Sequence, residues 1–120
     1  FSIAEFTSGV FKCHCSKCRK VFGGASSAVT LVDRKHFSWI SGIDGISRYE
    51  HNPGFGTSFC KCCGSVLPQY LPGHKLYWVP AGLFDEDPGL ELQVHIHVGS
   101  RAPWEVLDSG TRQLQEGFEL

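Results

Sequence analysis

Five of the six cysteines of this chain lie in two short clusters. The first cluster is Cys13-x-Cys15-x-x-Cys18, and the second is Cys60-x-x-Cys63. Thiolates at this spacing can converge on one tetrahedral metal ion, because a short turn brings their sulfurs within bonding distance of a common centre. The spacing therefore predicts zinc binding, with all five of these cysteines as candidate ligands.

Two other uses of clustered cysteines fit this spacing less well. Three disulfides would suit a secreted scaffold, but Cys13 and Cys15 are too close to pair comfortably, as are the adjacent Cys62 and Cys63. A redox motif at Cys15-x-x-Cys18 is expected within a strand–helix–strand unit, and the surrounding pattern is not of that kind. Metal binding accounts for both clusters.

The number of ligands leaves two arrangements open. In the second cluster Gly64 follows Cys63, and a glycine there can adopt a positive φ that closes the cysteine turn. A closed structural zinc site needs four protein ligands, whereas three are typical of a site with one open position. The cysteines can therefore form one closed four-ligand site with one left over, or one open three-ligand site and an incomplete pair.

Short extended segments separated by Gly and Pro must position these cysteines. One helix is predicted over Ser16–Phe22, where Gly23-Gly24 is the stop signal. Many short strands with scarcely any helix predict a mainly β fold of several short antiparallel sheets. The predicted strands cover residues 1–6, 9–13, 25–32, 37–41, 46–50, 57–60, 66–71, 76–81 and 90–98.

The composition is that of an ordinary globular chain. Its 120 residues are 42% hydrophobic and 19% charged, which suits one folded domain. A net charge of -1 gives no electrostatic basis for binding nucleic acid, and the apolar runs are too short to span a membrane. No secretory leader is visible, and reduced cysteines need a reducing compartment. We therefore expect a cytoplasmic protein that binds neither nucleic acid nor membranes.

Three motifs together resemble the glutathione-dependent formaldehyde-activating enzyme family, which also includes centromere protein V. The resemblance implies a tent-like, mainly β zinc fold and an enzyme of the carbon–sulfur lyase type. Its reaction would add the thiol of glutathione to formaldehyde, giving S-hydroxymethylglutathione, and would run in reverse. The motifs stand in family order: Cys13-His14-Cys15-Ser16-Lys17-Cys18-Arg19-Lys20, Phe59-Cys60-x-x-Cys63-Gly64-Ser65 and His95-Ile96-His97-Val98-Gly99-Ser100-Arg101-Ala102-Pro103-Trp104.

The resemblance also implies the metal ligands. Cys13, Cys15 and Cys18 match the catalytic zinc ligands of the family, and Cys60 and Cys63 match half of its structural zinc site. The other half in the family is a Cys-x-Cys-Gly segment before the first long strand, which is absent from this sequence. We therefore expect residues 1–120 to form a single zinc-binding domain that lacks a short N-terminal piece.

Other residues become candidates around that centre. His14 and His97 are the candidates for proton transfer, and Arg19 and Arg101 for binding the carboxylates of glutathione. His95 and His97 alternate on a predicted strand, so they should share one face. Trp104 is a candidate for lining the thiol pocket, but a large aromatic residue late in a small β fold is more often part of the core. The alternative function is a non-catalytic zinc-binding module, which a closed four-ligand site without affinity for thiols would favour.

Overall fold

A computed structural model describes residues 1–53 and 55–118, and the described part is mainly β with one α-helix. The predicted fold class is therefore confirmed. No helix in this part is long and apolar enough to cross a membrane. In chain order the elements are β1 (Ser2–Ile3), β2 (Val10–Cys13), α1 (Ser16–Phe22), β3 (Ser27–Asp33), β4 (Phe37–Ser38), β5 (Ile46–Asn52), β6 (Phe55–Cys60), β7 (Val66–Leu67), β8 (Gln69–Leu71), β9 (Leu76–Pro80), β10 (Leu92–Ile96) and β11 (Arg112–Gln113).

The strands form three sheets within the described residues. The largest has the order β11-β10-β2-β3-β9-β8, the second is β5-β6-β7, and β1 pairs with β4. Neighbouring strands are antiparallel except at β10, which runs parallel to both β2 and β11. Two strands that are joined by a tight hairpin must be antiparallel. Because β10 lies far along the chain from β2, no hairpin constrains the relative direction of these two strands.

Pro68 divides the predicted strand 66–71 into two strands that belong to different sheets. β7 pairs with β6 in the smaller sheet, whereas β8 pairs with β9 in the larger one. Proline has no backbone N–H to donate to a strand ladder, so a strand is easily interrupted there. The chain thus passes from one sheet to the other at Pro68.

Two apolar clusters form the core. The first is built around Val29 and includes two of the candidate metal ligands, Cys13 and Cys18, so both of these ligands lie in the protein interior. The second is built around Val32 and Val79, both with 0% exposure. Around these two clusters pack the partly buried aromatic side chains Phe1, Phe6, Phe22, Trp39, Tyr77, Trp78 and Phe84.

The expected burial of Trp104 is wrong. Its side chain is 68% exposed, whereas Ala102 two residues earlier is 1% exposed. Residues 101–107 belong to no strand, and Trp104 lies in a turn. The turn buries Ala102 and leaves the indole exposed.

Candidate metal centre

The turn from β2 into α1 positions the first cysteine cluster. β2 ends at Cys13, and Cys15 caps the N-terminus of α1. The Cys15 sulfur accepts a hydrogen bond from the Cys18 N–H at 3.4 Å, and the Cys15 carbonyl accepts from the Arg19 N–H at 3.0 Å. A side chain that accepts at the third helical residue is the usual N-cap arrangement, so the capping contact itself brings Cys15 and Cys18 together.

The sulfurs of Cys13, Cys15 and Cys18 all lie within 4.8 Å of one another. Cys13 and Cys18 are buried, and Cys15 is half-buried. Among the described residues this is the one group of three or more His, Cys, Asp or Glu side chains that could hold a metal ion. This geometry fits the open three-ligand arrangement, with Cys60 and Cys63 apart from the group, and which arrangement binds metal stays a prediction.

The shifted pKa values of Cys13 and Cys18 fit a bound cation. The hydrogen bond between Cys13 and Cys18, together with burial, raises the pKa of the Cys13 thiol far above its usual value. Hydrogen bonds from Cys13, Ser27 and Cys15 outweigh burial and lower the pKa of Cys18 to about 6. Adjacent buried thiols cannot all ionise alone, because like charges repel. A thiophilic divalent cation would let all three ionise, so the donor set suits zinc.

A cavity of about 290 Å³ opens beside Cys18. Most of its wall is apolar, and α1, the smaller sheet and β8–β9 all contribute to it. Cys18 is the one member of the cysteine group in the wall, so a molecule in the cavity would reach the metal centre past this residue. The lining side chains are those of Cys18, Val21, Arg48, Glu50, Phe55, Thr57, Gln69, Tyr70, Leu71, Pro72 and Trp78, together with Gly56.

The second cysteine cluster forms the expected tight turn. Gly64 has φ of 76°, and its N–H donates to the Cys60 carbonyl at 2.8 Å. The Cys63 sulfur lies 3.1 Å from the Ser65 hydroxyl, and Ser65 and Cys60 lower the pKa of the Cys63 thiol. Within residues 1–53 and 55–118 no third potential ligand converges with this pair, so metal binding by Cys60 and Cys63 stays a prediction.

His14 belongs to a buried chain of side chains behind the cysteine group. Its Nε2 lies 2.9 Å from Nδ1 of His95, and Nε2 of His95 lies 3.1 Å from the Asp108 carboxylate. His14 is 0% exposed and His95 is 3% exposed. In the strand register Cys13 lies beside Ile96, and Lys12 lies beside His95. Since side chains alternate along a strand, the histidines lie on the opposite face from Cys13.

The carboxylate of Asp108 determines that one ring nitrogen of His95 carries a proton. Asp108 accepts a hydrogen bond from the Thr111 hydroxyl, and its hydrogen bonds with Thr111 and His95 hold its pKa below the usual range. An ionised carboxylate only accepts, so Nε2 of His95 donates to it. Nδ1 of His95 and Nε2 of His14 share one proton in their 2.9 Å contact. Nδ1 of His14 is buried without a side-chain partner.

We expect His14 to make the fold sensitive to mild acid. Burial and then the neighbouring His95 lower its pKa below the ordinary 6.5. The unfolded chain therefore binds the proton first, and stability falls as the pH drops below 6.5, by at most about 1.4 kcal/mol per pH unit. Denaturant unfolding between about pH 5 and 7.5 measures the slope. His14→Gln should flatten it, and equal slopes in the two proteins would contradict the assignment.

The other predicted site residues do not line the cavity. β10 ends at Ile96 and His97 has φ of 54°, so the expectation that His95 and His97 share a strand face is wrong. The His97 ring lies against Gly117, where a Cβ would come 2.9 Å from Nε2.

The two arginines predicted to bind carboxylates have other surroundings. Arg101 is exposed and donates to the Val98 carbonyl at 3.1 Å. Arg19 is half-buried, with Nε buried and without a partner. None of His14, His97, Arg19 and Arg101 lines the cavity.

Sequence comparison identifies the family. The profile described as glutathione-dependent formaldehyde-activating enzyme matches residues 1–100 of the 120-residue chain. The chain belongs to this family. The resemblance drawn from the three motifs is therefore confirmed, and no curated protein matches the sequence at a significant level. The match to the formaldehyde-activating family contains both cysteine clusters and His95, whereas Asp108 lies beyond it.

Proposed function

We propose that this member of the formaldehyde-activating family is a zinc-dependent enzyme of the carbon–sulfur lyase type. It would add a thiol such as glutathione to formaldehyde or a related small aldehyde, and catalyse the reverse. The observation that carries the proposal is the three-thiol group, of which Cys18 also lines a cavity. Three protein ligands are typical of a zinc site with an exchangeable position, and the cavity offers a route to it.

The reaction needs no oxidant or reductant. The thiol sulfur bonds to the carbonyl carbon, the π electrons move to the carbonyl oxygen, and the thiol proton ends on that oxygen. Zinc held by Cys13, Cys15 and Cys18 would supply a Lewis-acidic position that lowers the pKa of a substrate thiol. None of the six cysteines is in a disulfide, which supports our proposal of a reducing, cytoplasmic location.

The chain's own residues would bind the reactants and supply hydrogen bonds. Apolar side chains such as Phe55 and Trp78 would exclude water from the cavity, which strengthens electrostatic interactions within it. Tyr70 also lines the cavity, and its hydroxyl is a donor that would stabilise charge developing on the carbonyl oxygen. The Thr57 hydroxyl in the same wall lies 2.7 Å from Nε2 of His51. Proton transfer by His14 or His97 stays a prediction, and neither residue lines the cavity.

The proposal predicts both bound zinc and thiol exchange. Elemental mass spectrometry of the purified full chain should find at least one zinc per chain. Saturation-transfer NMR with ¹³C-formaldehyde and glutathione should then show exchange into S-hydroxymethylglutathione that is faster than without protein. The increase should disappear when a chelator removes the zinc and return when zinc is restored.

The same measurements test the alternative of a non-catalytic zinc module. Zinc that is held firmly, with exchange no faster than in buffer for every thiol and aldehyde tried, would favour the module and contradict the proposed reaction. Absence of zinc from a fully reduced protein would contradict the metal assignment of Cys13, Cys15 and Cys18.

A further inference from the structure

A pair of opposite charges lies in the wall of the cavity that contains Cys18. Arg48 and Glu50 both line it, and Nη2 of Arg48 is 3.9 Å from the Glu50 carboxylate. Their side chains are 45% and 59% exposed. An ion pair this long and this exposed contributes little to stability. Both groups can therefore exchange their mutual contact for contacts with a ligand.

The hairpin of β5 and β6 holds the arginine in place. Arg48 is paired with Ser58, and Glu50 with Gly56, so the four residues share one face of the hairpin. The guanidinium lies over Gly56. A Cβ at residue 56 would collide with Nη2 and would come 2.8 Å from Cζ and 2.9 Å from Nε. The absence of a side chain at Gly56 is what gives the guanidinium its position beside the cavity.

The two charges define the chemistry of a ligand. A guanidinium binds a carboxylate through two parallel hydrogen bonds, and a carboxylate accepts hydrogen bonds from an ammonium group. Arg48 and Glu50 are the charged residues among those described in the cavity wall. A ligand with a carboxylate alone would meet repulsion from Glu50. A carboxylate and an ammonium on the same carbon would complement both groups.

We propose that Arg48 and Glu50 bind the zwitterionic α-amino-carboxylate end of the thiol substrate. This inference rests on the proposed function and narrows its substrate class. Thiols with a free amino-acid end, such as cysteine and γ-glutamyl peptides, are preferred over thiols without one. The thiol end of such a substrate extends along the apolar wall toward Cys18.

Binding of an unreactive ligand tests the inference apart from catalysis. S-methylglutathione has the zwitterionic end but no free thiol, and its N-acetyl derivative lacks the ammonium group. Calorimetric titration of the zinc-loaded full chain should give at least about tenfold weaker binding of the acetylated ligand, because a hydrogen bond between charged groups is lost. Arg48→Gln should weaken binding of S-methylglutathione by a similar factor. Glu50→Gln should remove the preference between the two ligands.

Matched variants separate the inference from general effects of charge. Arg34→Gln and Glu86→Gln make the same changes at exposed positions outside the cavity, and both should bind S-methylglutathione as the native chain does. Gly56→Ala should reproduce the loss seen in Arg48→Gln, and should add little when combined with it, provided that thermal melting shows both to be folded. Equal binding of the two ligands by the native chain would overturn the inference, as would normal binding by Arg48→Gln.

The proposed function has its own readout. Exchange of formaldehyde with 2-mercaptoethanol needs the metal centre but no zwitterionic end. If that exchange is catalysed while binding ignores the amino-acid end, the inference fails and the proposed function stands. If no thiol is exchanged and binding still depends on Arg48 and Glu50, the recognition pair is supported and the proposed reaction fails.

Discussion

Cys18→Ser is expected to abolish activity and most zinc binding. Its thiol has two roles, as one of three sulfurs within 4.8 Å of one another and as part of the cavity wall. A serine hydroxyl is a poor ligand for zinc beside two thiolates. Loss of an outer-shell partner alone typically costs roughly 10–100-fold in metal affinity or activity, and loss of a direct ligand should cost more.

Cys62→Ser is the matched control for this prediction. Cys62 is exposed and lies outside the three-thiol group, so the same chemical change there should leave zinc content and exchange unaltered. Zinc affinity is measured by competition with a chromophoric chelator, and circular dichroism confirms that both variants are folded. If Cys18→Ser keeps zinc and activity at the level of Cys62→Ser, the metal centre has been assigned to the wrong residues.

Local sequence signals were sufficient for the segment that holds the metal ligands. The helix Ser16–Phe22 agrees with its predicted bounds, because both of its ends depend on residues next to it in sequence. Cys15 caps the start, and Gly23 adopts φ of 65° at the end. The close spacing of Cys13, Cys15 and Cys18 allowed their convergence to be predicted for the same reason.

Contacts between distant segments could not be predicted in this way. His14 and His95 are 81 positions apart, and they meet only because β10 lies parallel to β2. The alternation of residues in the sequence does not indicate whether β10 pairs parallel or antiparallel with β2. It also predicted a strand that continues through His97, where the backbone is in the left-handed conformation. Arg48 stood in a correctly predicted strand, but its place beside the cavity depends on Gly56 across the hairpin. A single arginine in a predicted strand does not indicate that its side chain will lie beside a cavity.

The chain of His14, His95 and Asp108 connects the candidate metal-binding segment to the C-terminal part of the protein. His14 lies between two cysteines of the group, and the Ile96 carbonyl accepts a hydrogen bond from its N–H at 3.0 Å. The Leu114 N–H donates to the His95 carbonyl at 2.8 Å. Residues beyond the family match therefore help to hold the strand that supports Cys13. A change at His14 should then affect both the fold and the metal centre.

His14→Ala is expected to lower the free energy of unfolding by about 2–4 kcal/mol, because it leaves a cavity and removes a partner of the buried His95. His74→Ala removes an exposed imidazole and should change stability by less than about 0.5 kcal/mol. In a double-mutant cycle, His14→Ala and His95→Ala should couple by roughly 0.5–3 kcal/mol, as residues in contact do. Denaturant unfolding of the zinc-loaded chain measures the four proteins of the cycle and the His74→Ala control. Additive effects, or a loss at His14 no larger than that at His74, would show that the 2.9 Å contact between the rings does not stabilise the fold.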